Sequence, residues 1–216
     1  MLRDNLSRVL VLTTLLLSPI AVADGEVTPN PRTFHFVGVP VTHGTGCPTG
    51  SVETVVADDG KTMTLIFSEL VAEAGPGIAL SANRKQCTTN AKVHVPAGFS
   101  FAIVNVDHRG FAQLDPKVIS TQKSTYYIMG DAVNRATAFT TVEGPEYLDG
   151  ADWVVRDEFA LPTIVWSACG VETNFNVTSA VQVNNNLNRK GRGLMVQDGS
   201  DARFETVFNL IWRRCS

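Results

Sequence analysis

The sequence lacks the short patterns that announce common enzyme chemistry. It has no Gly-x-Ser-x-Gly elbow, so nothing supports a serine nucleophile raised on a strand-to-helix turn. It has no HExxH or H-x-H pattern to gather zinc ligands, and only four histidines: His35, His43, His94 and His108. The glycine-rich stretch from His43 to Gly50 lacks the closing Gly-Lys-Ser/Thr of a phosphate-binding loop, and no helical pattern follows it. That stretch reads instead as a tight loop carrying Cys47. Neither sign of charge dominates: 18 basic residues face 21 acidic ones, a net charge of −3. This balance excludes a general attraction to nucleic acid or to an anionic membrane. There is no internal repeat and no long amphipathic helical pattern, and after residue 23 no apolar run approaches bilayer length.

What is present begins with a leader. Arg3 and Arg8 supply a positive start, Val9 to Ile20 is an apolar run of about a dozen residues, and Ala21-Val22-Ala23 is a small-x-small cleavage pattern. Residues 1–23 are therefore read as a signal peptide cut before Asp24, with no membrane anchor left afterwards. Cleavage removes 23 of the 216 residues and leaves 193, enough for one domain with a sizeable core. The lost segment takes two arginines and one aspartate with it, so 16 basic and 20 acidic residues remain, a net charge of −4. Residues 24–42 are expected to form an N-terminal arm with an edge strand, and residues 43–216 the folded domain.

All four cysteines, Cys47, Cys87, Cys169 and Cys215, follow the leader. An even number in a secreted chain reads as two disulfides. Of three connectivities, Cys47–Cys87 and Cys169–Cys215 close the shorter loops and are the expected pair. Zinc is the competing reading, but no CxxC spacing supports it. Asn176-Val177-Thr178 is a glycosylation sequon, expected to face solvent in a eukaryotic product.

The longest apolar segment after the leader is Ala91 to Leu114. Val93 and Val95 alternate with Lys92 and His94, Pro96-Ala97-Gly98 is a turn, and an apolar run follows. Simple alternation places Phe99, Phe101 and Ile103 on one face and Ala102, Val104 and Val106 on the other, so this is expected to be an inner strand. A bulge or bend is expected at Gly110. Ser51–Val56 and Met63–Leu70 read as a hairpin around Asp58-Asp59-Gly60. Val71–Gln86 reads as a long connection. Further strands are expected at Phe34–Val39, Ser124–Met129, Ala136–Val142, Val154-Val155, Thr163–Trp166, Thr173–Val183 and Phe204–Trp212, with a loop over Asn184–Gly193. The fold class is all-β, one disulfide-stapled antiparallel β-sandwich, jelly-roll-like or Ig-like, with little helix.

From about His43 onward the chain resembles the small secreted proteins grouped as domain-of-unknown-function family 4360. The resemblance is carried by Gly44-Thr45-Gly46-Cys47-Pro48-x-Gly50-Ser51-Val52, Val95-Pro96-Ala97-Gly98-Phe99, Arg109-Gly110-Phe111-Ala112-x-Leu114, Trp166-Ser167-x-Cys169-Gly170 and Trp212-Arg213-Arg214-Cys215. It implies a secreted, cysteine-paired, β-rich domain with no established activity and brings no catalytic residue; the residues themselves point to no metal and no cofactor.

Asp107-His108-Arg109 is the most reactive-looking triplet, but neighbours on a strand point to opposite faces and make poor partners. Glycosidase chemistry needs two carboxylates about 5–10 Å apart. The loops offer Glu143, Glu146, Asp149, Asp152, Asp157 and Glu158 without pairing any. Trp166 and Trp212 are expected to pack beside the disulfide. Trp153, with Tyr147 nearby, is either an exposed platform for a sugar or partner surface, or an anchor folded inward. Arg189, Lys190 and Arg192 form the local basic cluster, suited to an anionic polysaccharide or acidic partner, or simply a solvated loop tip. These features favour a monomeric, non-catalytic binding domain for a cell-wall glycan or an extracellular protein. The alternatives are a secreted hydrolase using loop carboxylates or His108, and a protease inhibitor inserting Val71–Gln86.

Overall fold

In a computed structural model of the protein, the described residues are 29–30, 33–128, 135–159, 164–196 and 204–215. The expected leader and most of residues 24–32 lie outside them. In chain order the strands are β1 (His35–Phe36), β2 (Val41–His43), β3 (Val52–Val56), β4 (Thr62–Phe67), β5 (Ala72–Ala74), β6 (Arg84–His94), β7 (Phe99–Leu114), β8 (Ile119–Ile128), β9 (Ala136–Glu143), β10 (Ala151–Glu158), β11 (Thr173–Asn184), β12 (Gly193–Val196) and β13 (Phe204–Arg214). One sheet is ordered β1–β6–β11–β8–β9, with β2 also on β6. The other is ordered β3–β4–β13–β7–β12–β5, with β10 also on β7. All the strand pairings are antiparallel.

The sheets meet through the alternating apolar face of each strand. Phe208 of β13 packs edge-on against Phe175 of β11, ring centroids 4.7 Å apart, and against Tyr126 of β8 at 5.7 Å. At one end Trp212 is packed by Phe34, Phe99 and Phe101, and its indole N–H donates to the Gly60 carbonyl at 2.9 Å. The Asp58–Gly60 turn is thereby tied to the core.

β7 is the inner strand the sequence suggests, with one difference of register. Along β13, Asn209 opposes Asn105 and Leu210 opposes Ile103, so Val104 is skipped as a bulge. The extra residue returns Val106, opposite the buried Phe208, to the same inward face as Phe101 and Ile103. Strict alternation had placed Val106 on the other side. The strand runs unbroken through Gly110, where a bend was expected. There a Cβ would lie 2.8 Å from the Trp153 ring, so glycine serves close packing rather than a turn.

Three other expectations change. Val71–Gln86 is not a free connection: β5 pairs with β12, a 3-10 turn spans Leu80–Ala82, and β6 begins at Arg84. Asp157 and Glu158 are not in a loop between short strands but end the eight-residue β10, which pairs with β7 from Ala151↔Ala112 to Glu158↔Asn105. Thr163 lies outside the described residues, and Trp166 makes only an isolated bridge to Ala102.

Both disulfides form with the expected partners. Cys47–Cys87 has a Cα separation of 5.3 Å and Cys169–Cys215 one of 6.2 Å. They close loops spanning 40 and 46 residues, each worth about 4 kcal/mol of unfolded-chain entropy. The second bond lies near the surface, since Cys169 is exposed. Trp212 is in the core, whereas Trp166 is half-buried with the Arg213 guanidinium 4.2 Å above its ring.

Candidate functional site

The reactive-looking triplet splits as the strand geometry requires. Asp107 points to the outer face of its sheet. Arg156, its cross-strand neighbour, donates to both carboxylate oxygens at 2.6 and 2.9 Å, and Asn209 adds a bond of 3.3 Å. The Arg156 guanidinium holds the Asp107 carboxyl below the usual carboxylate range. His108 points inward and is 0% exposed. Its Nδ1 lies 3.2 Å from the Thr206 hydroxyl and 3.4 Å from Gln122 Nε2, and its Nε2 lies 3.6 Å from Asp157 Oδ2.

Thr206, His108 and Asp157 thus stand in the order of an acid–base relay. Burial decides what they can do. Desolvation drives the His108 pKa down to about 4, so the imidazole is neutral at pH 7. Burial also raises Asp157, and burial together with the Asp157 charge keeps the Tyr126 phenol protonated. Thr206 is fully buried, so the would-be nucleophile is shut off from solvent. Ser124, hydrogen-bonded to Gln122 at 2.6 Å and to Ser179 at 2.9 Å, extends the same buried network.

The residues proposed for binding are placed unequally. Trp153 lies on β10 rather than in a polar loop and is 3% exposed, its ring lying over Gly110. It is an inward anchor and presents no platform. Tyr147 is half-buried, and its carbonyl accepts from the Leu114 amide at 2.9 Å. The next amide, Asp115, donates to the Arg192 carbonyl at 2.9 Å, so Tyr147 and Arg192 flank the same end of β7. Arg189, Lys190 and Arg192 are all exposed on the loop between β11 and β12. Asn188 orders that loop by accepting from the Gly191 amide and donating to the Pro116 carbonyl. Asn176 sits on the outer face of β11, half-buried and away from these residues.

Sequence reasoning missed a cleft of about 460 Å³ where β1, at the edge of one sheet, meets β3, at the edge of the other. Phe34, His35, Phe36, Thr54, Val56 and Asp58 line it. Phe34 is buried, in edge contact with Trp212 at 4.8 Å, and forms the floor. His35 stacks on His94 across the β1–β6 pair at 5.1 Å. The residues lining the cleft therefore include aromatic, hydroxyl-bearing and carboxylate types. Its size falls within the roughly 300–1,000 Å³ of small-ligand sites. The two contributing segments, an edge strand and a hairpin turn, were each legible in the sequence, but their meeting was not. Among the described residues no cluster of three or more His, Cys, Asp or Glu could hold a metal ion, and no helix is long and apolar enough to cross a membrane.

Fold and cleft together define an all-β sandwich domain clamped by two disulfides, with His108 and Thr206 buried inside and an open cleft at one edge. Residues 37–215 match the family described as Domain of unknown function (DUF4360), and the chain belongs to that family. An uncharacterized secreted protein of Arthroderma benhamiae is 38% identical over 192 residues, covering 89% of this chain and 76% of the relative. Among solved structures, TmCBM61 in complex with β-1,4-galactotriose aligns over 82% of this chain and 88% of its own, at 11% identity and a TM-score of 0.24. The CBM22-2 xylan-binding domain of Paenibacillus barcinonensis Xyn10C aligns over 81% and 99%, at 10% identity and a TM-score of 0.22.

Proposed function

We propose that this chain is an extracellular, non-catalytic binding domain whose ligand site is the cleft between β1 and β3, and that the ligand is a saccharide unit of a cell-wall glycan. Export is supported by the leader pattern of residues 1–23, by two disulfides, which persist in oxidising compartments, and by a relative named as a secreted protein. The cleft carries the binding reading. The Phe36 ring can offer apolar contact to the C–H face of a sugar, while Thr54 and the Asp58 carboxylate can receive its hydroxyls. The sealing of His108 and Thr206 inside the sandwich favours binding over hydrolysis.

The test is retention of the secreted protein on immobilised wall glycans, with Phe36→Ala and Asp58→Asn as site variants. Asp58→Asn keeps an acceptor oxygen but loses the charge assistance, roughly half of a bond worth about 1.5–3 kcal/mol, so it should weaken binding several-fold. Undiminished binding by both variants would place the site elsewhere. No retention on any glycan would remove the saccharide reading.

A further inference from the structure

The outer face of the β1–β6–β11–β8–β9 sheet carries two uncharged rows across its middle. Register aligns Asn90, Asn176 and Tyr127 in one, and Thr88, Thr178, Thr125 and Thr137 in the next. Hydroxyl contacts of 3.1 Å between Thr88 and Thr178, and 3.2 Å between Thr125 and Thr137, knit the second row. The sequon lies at the crossing of these rows with β11. Alternation turns Val177 into the core and leaves Asn176 and Thr178 side by side on the outer face. Asn90 Nδ2 donates to Asn176 Oδ1, which fixes the plane of the amide through its oxygen. Among the described residues no hydrogen bond engages the nitrogen, the atom an N-linked sugar takes. One register step beyond Asn90 on β2 stands Val41, 67% exposed. Strands lie about 4.8 Å apart, so Val41 is within reach of the first sugars on Asn176.

We propose that Asn176 carries an N-linked glycan whose inner sugars rest on the asparagine and threonine rows of this face. The acceptor amide is held in place, the two rows offer neutral hydrogen-bonding groups suited to sugar hydroxyls, with the Arg135 guanidinium 5.6 Å over the Tyr127 ring at one end, and the exposed Val41 side chain gains cover. The face would then be occupied by the chain's own carbohydrate and closed to other partners, while the β1–β3 cleft, at the sandwich edge, stays open. The inference rests on the export reading above.

The experiment expresses the full chain in a yeast secretion host twice, once with its own leader and once behind the host's leader. Absence of the first product from the medium would count against export, and the second still decides the glycan. Secreted protein should carry excess mass that peptide N-glycosidase removes, leaving Asp at position 176. Asn176→Gln and Thr178→Ala should abolish the excess, and Thr178→Ser should keep it. Host-leader protein at its bare peptide mass, with Asn176 unconverted, would overturn the proposal. Placement is read by nitration of Tyr127, which should rise several-fold in Asn176→Gln over the glycosylated protein. Equal nitration would overturn the resting of the sugars on this face.

Discussion

Acidification should weaken this fold through one side chain. His108 is fully buried and its pKa falls from 6.5 to about 4. Between those values the unfolded chain binds a proton that the folded chain refuses. Stability is therefore complete above pH 6.5 and declines as pH drops toward 4. The full step is 2.5 pKa units, or about 3 kcal/mol, and somewhat over 2 kcal/mol of it should be gone by pH 4.5. Asp157 acts in the opposite sense. Its folded pKa is raised, so the folded state gains a proton first and recovers some stability as pH falls toward 3.8. Asp107 is depressed, and its contribution is lost only as pH falls below 3.8, outside the window. Urea unfolding with disulfides intact, at pH 7.0, 5.5 and 4.5, would read the slope directly. His108→Gln keeps a neutral hydrogen-bonding side chain and should flatten it, while Asp157→Asn should steepen it. An unchanged slope in His108→Gln would refute the assignment, as would a wild-type protein equally stable at pH 7.0 and 4.5.

Three further outcomes follow from particular contacts. Gly110→Ala would set a Cβ 2.8 Å from the Trp153 ring and 3.0 Å from the Val196 carbonyl oxygen. Overpacking of that kind costs about 1–3 kcal/mol, and a shift in Trp153 fluorescence should accompany the lower melting temperature. Replacing Cys47 and Cys87 together by alanine opens a loop spanning 40 residues. That should cost about 4 kcal/mol by the chain-entropy relation, read as a drop in the urea midpoint. Arg156→Ala removes the guanidinium that engages both Asp107 oxygens. The Asp107 pKa should then rise in a carboxyl-carbon NMR titration, and an unmoved value would show that Asn209 and Arg109 suffice.

Local signals in the sequence were reliable where the cause of the structure is local. The Asp58–Gly60 hairpin is legible because the Asp59 carboxylate accepts from the Lys61 amide at 2.9 Å and Gly60 takes a φ of +67°. β11 and β13 are legible because apolar residues recur on one face of each, Phe175, Val177, Val181 and Val183 on β11 and Phe208, Leu210 and Trp212 on β13, with a small polar residue, Ser179 or Thr206, tolerated on the same face. The failures have distant causes. The bulge at Val104 is a mismatch between β7 and β13, which are about a hundred residues apart in sequence, and neither strand shows it alone. Leu148-Asp149-Gly150-Ala151-Asp152, just before Trp153, reads as turn chemistry, yet pairing with β7 draws the chain into a strand from Ala151. The cleft is built by two segments that belong to different sheets.

β8 presents the sharpest case, because its inner face breaks the apolar rule. Ser120, Gln122 and Ser124 are all fully buried there, so only its C-terminal half reads as a strand from composition. Each of the three side chains meets a partner on a different element: Ser120 the Met195 sulfur on β12, the Gln122 amide nitrogen the His108 ring on β7, and Ser124 the Ser179 hydroxyl on β11. A slip of β8 by one residue would turn Lys123 and Tyr127 inward and strand all three contacts. Apolar residues at these positions would bury as well but would accept neighbouring registers at little cost, whereas buried hydrogen bonds penalise every register but one. The polar stripe that hides this strand from a pattern-based reading therefore serves to fix its place between β11 and β9. Ser124→Ala should leave Ser179 and Gln122 with an unmet bond each and lower stability by about 1–3 kcal/mol. Ser124→Ala combined with Ser179→Ala should recover part of that loss. A double variant no more stable than Ser124→Ala would show that the stripe contributes nothing through pairing.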